Sequence, residues 1–344
     1  MAMSGTAKSL RLRVADVVHE TPDAVSILFE EGGQALDYRP GQFLVLRVPS
    51  ERTGSVARCY SLASSPHRDE PARVIVKRTP AGYASNWLCD NITSGDELDV
   101  LLPSGVFTPN SLDANLLLFA AGSGITPILS IAKSVLSVGG GAVDLFYANR
   151  DELSIIAANE LRSLEAEFPE RLMVHHWLES VQGLPRSHTL ARIAQSFPDR
   201  EAYTCGPGPF MEAVRAAWTA AGRDRASLHL EVFISLSGDP FEESVTVGEI
   251  DGGEMVPLEV SVDGETHDLQ WPKGVTLVDF LLARGIEVPY LCRDGECGTC
   301  LATCSSGQVT MAGNNLLEPE DVANGDVLAC QLVCAGDEPV KVVF

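Results

Sequence analysis

Cys292, Cys297 and Cys300 lie in one short loop, separated by four and then two residues, and a fourth cysteine, Cys330, follows in a distant apolar run. No other feature constrains the chain as much. Four thiols so spaced can serve one centre only if the loop folds round it and a remote strand end meets the loop. The segment Leu291-Cys292-Arg293-Asp294-Gly295-Glu296-Cys297-Gly298-Thr299-Cys300 has glycines where backbone amides could approach a bound group with no Cβ in the way. The fold must bring Leu328-Ala329-Cys330-Gln331-Leu332 beside it.

This is the ligand spacing of a plant-type [2Fe–2S] cluster. Zinc is the rival, since Cys297-x2-Cys300 is also a knuckle pair, but zinc sites usually combine two such pairs and Cys330 stands alone. A register through Cys297, Cys300 and Cys304 would strand Cys292 and Cys330. The expected metal ligands are therefore Cys292, Cys297, Cys300 and Cys330. Cys59, Cys89, Cys205, Cys304 and Cys334 show no repeating spacing, and no N-terminal apolar segment reads as a signal peptide, so a secreted disulfide framework is not expected. Cys304 and Cys334 read as small buried apolar residues.

At 344 residues and 45% hydrophobic content the chain has material for two or three domains, and the motifs favour three. No stretch approaches the ~18 uninterrupted apolar residues of a membrane span. The net charge of −22 argues against nucleic acid or an anionic membrane as partner, and a cytoplasmic protein is expected. Residues 240–344 hold 19 acidic against 4 basic residues, a balance of −15, while residues 1–239 carry −7. That excess suits a solubilising face or a docking face for a basic partner; in the second case Asp294 and Glu296 are the natural contacts.

Residues 8–112 read as an antiparallel β-barrel with little helix. Strands are expected at Leu10–Val17, Ala24–Glu30, Gln42–Val48, Val74–Arg78 and Glu97–Leu102, between breaks at Pro40-Gly41, Pro80-Ala81-Gly82 and Pro103-Ser104-Gly105. Residues 113–234 alternate strand and helix, which implies a parallel sheet with crossover helices. Its strands are expected at Leu116–Ala121, Ala142–Asn149, Leu172–Leu178, Ala202–Cys205 and His229–Phe233, and its helices at Pro127–Leu136, Ser154–Glu167, Thr189–Gln195 and Phe210–Ala221. Residues 235–254 have no apolar period and read as a linker. Residues 255–344 begin as a hairpin, Leu258–Val262 and His267–Trp271 about Asp263-Gly264, with a helix at Leu277–Arg284, a small α+β domain with its sheet wrapped on a helix.

Gly122-Ser123-Gly124-Ile125-Thr126-Pro127 follows an apolar strand and opens a helix. Such a turn lets backbone N–H groups face a pyrophosphate, and a first-turn proline loses nothing there. Alone, the pattern also describes an ordinary tight turn. Arg58-Cys59-Tyr60-Ser61-Leu62 by itself is an exposed strand end. Together with Gly82-Tyr83-Ala84-Ser85 and Cys205-Gly206-Pro207-Gly208-Pro209-Phe210, however, these segments resemble the ferredoxin-NADP reductase superfamily. Its flavin motif R-x-Y-S/T, flavin-phosphate motif G-x-x-S/T and nucleotide motif G-x-G-x-x-P occur here in order, and the resemblance covers the entire chain. Within that superfamily the chain is similar to FAD-containing oxygenase reductases of the 3-ketosteroid 9α-hydroxylase and phenylacetyl-CoA epoxidase kinds. Ser85-Asn86-Trp87-Leu88, Tyr147-Ala148-Asn149-Arg150, Glu231-Val232-Phe233 and Ser235-Leu236-Ser237-Gly238-Asp239-Pro240-Phe241 carry this narrower match.

The resemblance implies a flavin β-barrel, a nicotinamide α/β domain and a ferredoxin-like β-grasp domain. It implies that Arg58 meets a flavin phosphate, that Tyr60 lies along the flavin ring, and that Ser61 reaches its reactive edge with Leu62 and Lys77 nearby. Gly82, Ala84 and Ser85 would hold phosphate, which favours FAD over FMN. Gly122, Ser123, Gly124, Thr126, Gly206 and Pro207 would take the nicotinamide nucleotide, with Cys205 at the nicotinamide, Glu231 closing the site and Phe233 over the flavin. Arg150 could accept a 2′-phosphate, but the adjacent Asp151 and Glu152 favour NADH over NADPH. Nicotinamide gives two electrons, a cluster takes one, and a flavin converts between them. The implied function is an electron-transfer reductase delivering to a terminal oxygenase, of Rieske non-haem iron type, with a di-iron monooxygenase as the alternative acceptor and redox sensing as an alternative of another class.

Overall fold

A computed structural model describes residues 9–30, 36–233, 236, 240–241, 254–262, 264–314, 316–317 and 319–344. Most of the linker expected at 235–254, and most of the segment from Ser235 to Phe241, lie outside the described residues. Residues Leu10–Phe233 form one compact unit, and a second unit extends to Phe344.

The chain opens with β1 (Ser9–Thr21), β2 (Ala24–Phe29), β3 (Phe43–Ser50), β4 (Gly54–Ser61), β5 (Arg73–Lys77), α1 (Tyr83–Asn91) and β6 (Glu97–Leu101). The strands form one antiparallel sheet in the order β4-β3-β6-β1-β2-β5. A bridge between Leu62 and Val74, with the Ala63 N–H donating to the Arg73 carbonyl at 2.8 Å, joins the two edges and closes the barrel. Closure removes the unpaired edges that an open sheet would expose. Inside sit Val14, Ile27, Leu44, Leu46, Leu62, Val74 and Leu88. The helix α1, the one α-helix among the described residues before β7, is not placed by the sequence reading but agrees with the expected scarcity of helix; it lies across the barrel on its buried Ala84, Ser85 and Leu88.

Next come β7 (Leu116–Ala121), α2 (Ile125–Val138), β8 (Val143–Asn149), α3 (Ala158–Glu167), β9 (Leu172–Leu178), a single turn α4 (Glu179–Gln182), α5 (Ser187–Ser196), β10 (Glu201–Cys205), α6 (Gly208–Ala220) and β11 (Leu228–Glu231). The strands are parallel, in the order β11-β10-β7-β8-β9. Every residue of β7 and β8 is buried, as expected for central parallel strands covered on both faces. The barrel and this sheet share a core in which Ala24, Ile75 and Phe107 pack with α2. An ionic network ties them further: the fully buried Lys133 Nζ lies 2.8 Å from both Glu70 and Glu160, and Arg73 is 2.6 Å from Glu160. Burial works against the Glu160 charge, yet Lys133 and Arg73 hold its carboxyl below the usual range.

The second unit contains β12 (Met255–Val262), β13 (Glu265–Pro272), α7 (Leu277–Ala283), β14 (Leu301–Ser306), β15 (Val309–Met311), α8 (Pro319–Ala323), β16 (Asp326–Leu328), β17 (Leu332–Cys334) and β18 (Val340–Val343). Its main sheet runs β13-β12-β18-β14-β16, mixed because β18 lies parallel to β12. Thr276 caps α7 by accepting from the Asp279 N–H at 3.4 Å, and Leu277, Val278, Phe280 and Leu281 turn inward. Cys334 joins this core; Cys304 is only partly buried against it. Among the described residues no helix is long and apolar enough to cross a membrane.

Candidate functional site

In β4, Arg58 lies opposite Leu46, Tyr60 opposite Leu44 and Ser61 opposite Phe43. Ser61 is buried, while Arg58 and Tyr60 on one face of the strand and Cys59 on the other remain half-buried. Burial pushes the Tyr60 phenol up, helped by Cys89. The Arg58 guanidinium donates to the Ala57 carbonyl at 2.7 Å, which fixes its direction. The Leu62 side chain is fully buried in the barrel core and its N–H donates to the Gln42 carbonyl at 2.9 Å.

Gly82 sits at the N-cap of α1, with no side chain capping the helix. The first-turn N–H groups there carry the positive end of the helix dipole, an arrangement suited to an anion. Ser85 is buried, and its Oγ accepts from the Thr79 N–H at 3.0 Å, so the hydroxyl shapes the turn. Ala84 packs into the barrel core, leaving its backbone to face the helix end.

The glycine-rich turn after β7 is a single 3₁₀ turn, Gly122–Gly124, and α2 begins at Ile125, two residues earlier than the sequence suggests. The Tyr147 hydroxyl donates to the Gly122 carbonyl at 3.1 Å, and Thr126 Oγ1 donates to the Ser123 carbonyl at 3.1 Å, so Thr126 braces the turn from within. Gly124 abuts the end of β10: a Cβ there would stand 2.1 Å from the Cys205 carbonyl oxygen and 2.6 Å from the Gly206 nitrogen. The Gly122–Gly124 turn and the Cys205-Gly206-Pro207 turn thus form one cradle at the carboxyl ends of the strands, where ligands of open α/β sheets bind. Cys205 is buried and pairs in register with Glu231. Burial pushes the Cys205 thiol up, and burial pushes the Glu231 carboxyl up to about 8. Phe233 follows, 46% exposed.

Two cations border this cradle. Lys77 Nζ, from the barrel, lies 3.6 Å from where a Cβ on Gly122 would stand, and burial lowers its pKa. Arg150, just after β8, pairs with Asp23 of the barrel at 2.9 Å. Asp151, expected to repel a 2′-phosphate beside Arg150, accepts from Ser154 Oγ at 2.7 Å, and that bond together with the Arg150 charge holds its carboxyl below the usual range. Asp23 lies 127 residues from Arg150, and no local pattern signals it.

In the second unit the four expected ligand sulfurs meet in pairs, Cys292 with Cys297 and Cys330, and Cys300 with Cys330. Within this group the mutual contacts lower the Cys292 and Cys300 thiols and raise those of Cys297 and Cys330, as when neighbouring sulfurs share protons. Among the described residues no three His, Cys, Asp or Glu side chains are grouped round a single ion. Backbone amides aim at the sulfurs: Asp294 N–H donates to Cys292 at 3.4 Å and Cys330 N–H to Cys300 at 3.5 Å. A donor set of four sulfurs surrounded by N–H groups fits a thiolate-held [2Fe–2S] cluster. Gly295 has φ 74°, and a Cβ on it would lie 2.7 Å from the Gly313 carbonyl oxygen. Arg293 is also left-handed at φ 61°, held by Asp279 at 3.2 Å and by Tyr290, whose ring centre is 4.8 Å away. Gln331 completes the loop, its Nε2 donating to the Arg293 carbonyl at 2.5 Å and to Cys330 Sγ at 3.9 Å. Sequence reasoning missed it, although a polar residue between Cys330 and Leu332 in an apolar run was a visible signal.

Comparison with known proteins agrees with each part. Residues 11–108 match the oxidoreductase FAD-binding domain family, residues 118–216 the oxidoreductase NAD-binding domain family, and residues 260–335 the 2Fe-2S iron-sulfur cluster binding domain family. The chain is 56% identical over 330 residues to the ferredoxin reductase component of 3-ketosteroid-9-alpha-monooxygenase from Rhodococcus rhodochrous, covering 94% of each chain. It is 52% identical to the protein of that name from Mycolicibacterium smegmatis, covering 97% of each. Its fold is similar to the crystal structure of phthalate dioxygenase reductase, with a TM-score of 0.60, 23% identity and 98% of each chain covered. With its FAD-binding, NAD-binding and 2Fe–2S domains in one polypeptide, the chain belongs to the family of oxygenase reductase components represented by the 3-ketosteroid-9-alpha-monooxygenase ferredoxin reductases.

Proposed function

We propose that this reductase takes electrons from NADH and delivers them, in the cytoplasm, to a terminal oxygenase of the 3-ketosteroid-9-alpha-monooxygenase type with a Rieske non-haem iron centre. The relatives' names support a 3-ketosteroid-9-alpha-monooxygenase as the acceptor. The observation that carries the electron-delivering role is the meeting of four sulfurs from a loop and a strand end, a one-electron centre on the same chain as a nucleotide cradle. FAD, when bound, converts the two-electron donor into single electrons for that centre.

The chain's own residues divide the work. Arg58 would take a flavin phosphate, Tyr60, Ser61 and Leu62 would line the flavin, and Phe233 would cover it. The amides of Gly82, Ala84 and Ser85 hold phosphate at the start of α1. Gly122, Ser123, Gly124, Gly206 and Pro207 cradle the nicotinamide nucleotide, braced by Thr126 and bordered by Lys77 and Arg150. Cys205 and Glu231 flank the nicotinamide and exclude water from it. Cys292, Cys297, Cys300 and Cys330 hold the cluster.

Cys297→Ser tests the division of labour. It should abolish the cluster's visible absorbance and cut NADH-driven cytochrome c reduction at least tenfold, while NADH still bleaches the flavin at a rate within twofold of the parent. A folded, FAD-loaded variant whose flavin NADH no longer reduces would overturn the order of transfer.

A further inference from the structure

The residue that engages Arg150 belongs to the barrel. Asp23, in the turn between β1 and β2, is held in place: its Oδ1 accepts from Thr21 Oγ1 at 2.8 Å, and its carbonyl accepts from the Arg78 N–H at 2.8 Å. Its other carboxylate oxygen lies 2.9 Å from the Arg150 guanidinium and 3.9 Å from Lys77 Nζ. Arg150 stands just past the second strand of the sheet, where residues of a dinucleotide domain meet the adenosine ribose and where an arginine would accommodate a 2′-phosphate. Resting on the nucleotide-site reading above, we propose that Asp23 is the specificity-determining residue that makes this reductase select NADH over NADPH, by occupying Arg150 and presenting a carboxylate to an incoming 2′-phosphate.

Both effects act against the phosphate. The guanidinium must leave Asp23 to bind it, and the freed carboxylate then lies within a few ångströms of a group carrying like charge, far inside the ~8 Å screening length of physiological salt. A ribose diol has no charge to be repelled. Because Arg150 is 63% exposed, its pair with Asp23 is of the weak, solvent-screened kind, and the discrimination it supplies is bounded at roughly fivefold. Asp151 accepts from Ser154 Oγ and also feels the charges of Arg150 and Lys77, so it adds to the negative field there, while Asp23 is the acid that engages the Arg150 guanidinium directly.

The test measures binding as well as turnover. Dissociation constants of 2′-phospho-AMP and 5′-AMP are determined by calorimetry on the FAD-loaded holoenzyme, beside kcat/KM for NADPH and NADH with ferricyanide. In Asp23→Asn, which keeps the side chain's shape, preference for 2′-phospho-AMP over 5′-AMP should rise about fivefold, and the NADPH/NADH ratio of kcat/KM should rise with it. Asp23→Asn/Arg150→Leu should lose that gain. An unchanged preference in Asp23→Asn, or a gain that survives in the double variant, overturns the role of Asp23. Failure of the parent holoenzyme to bind either nucleotide would overturn the site assignment itself, and the proposal with it.

Discussion

Glu231 ends β11 beside Cys205, and burial pushes its carboxyl up to about 8, so at neutral pH it is largely protonated. The folded state therefore binds this proton more tightly than the unfolded chain, whose glutamate titrates near 4.3. Its contribution to stability is complete below about pH 4 and is lost as pH rises toward 8. Glu231→Gln, which cannot ionise, should melt progressively higher than the parent as pH goes from 5 to 8.5, by a few degrees at the alkaline end. A difference in melting temperature that stays constant with pH would mean the carboxyl titrates normally. At this scale the four cysteines announce themselves by spacing, because their chemistry is local, whereas Arg58, Tyr60 and Gly122 stand out only through the resemblance to a known superfamily. Asp23, Lys133 and Glu160 do neither, because each acts on residues far along the chain, and an acid in a β-turn looks like any solvated acid until folding brings Arg150 to it.

Most strands and helices fell where apolar periodicity put them, since β7, β8 and α2 are buried along nearly their whole length. The helix α1 escaped because Tyr-Ala-Ser-Asn-Trp-Leu-Cys-Asp-Asn is rich in weak helix formers and buries only Ala84, Ser85 and Leu88. What holds it is the barrel beneath, a tertiary effect with no local trace. The turns between elements carry the chemistry, and Gly124 is their tightest point, where a side chain would collide with the backbone of Cys205 and Gly206. Gly124→Ala must push the β7–α2 turn away from the end of β10. It should cost about 1–3 kcal/mol of stability, typical of overpacking, and slow NADH reduction of the flavin at least tenfold while dithionite still reduces it. Parent-like reduction by NADH would show that the two turns need not touch for the nucleotide to bind.

Over the whole molecule, the charge split is the property that folding redistributes least. The basic residues of the second unit have neighbours within it: Lys273 lies 2.7 Å from Glu254, Lys341 3.1 Å from Glu259 and Arg293 3.2 Å from Asp279, while Arg284 lies over Phe280. Among the described residues of this unit, exposed acids remain beyond these pairs. Asp294 and Glu296 are poor candidates to join them, because both are half-buried and already engaged with neighbouring groups. The exposed acids, Glu265, Asp268, Glu320 and Glu338 among them, carry the field outward. A field of one sign raises encounter rates with a cationic acceptor and lowers them with an anionic one, and salt weakens both effects as the Debye length falls from ~30 Å at 0.01 M to ~8 Å at physiological strength. With NADH saturating, reduction of cationic cytochrome c should therefore slow severalfold between 10 and 300 mM NaCl, whereas reduction of anionic ferricyanide should hold or rise. Stopped-flow traces of both acceptors on one holoenzyme preparation decide it. If the two rates fell in parallel, salt would be acting on nucleotide binding or on the flavin, and the acid surface would serve solubility alone.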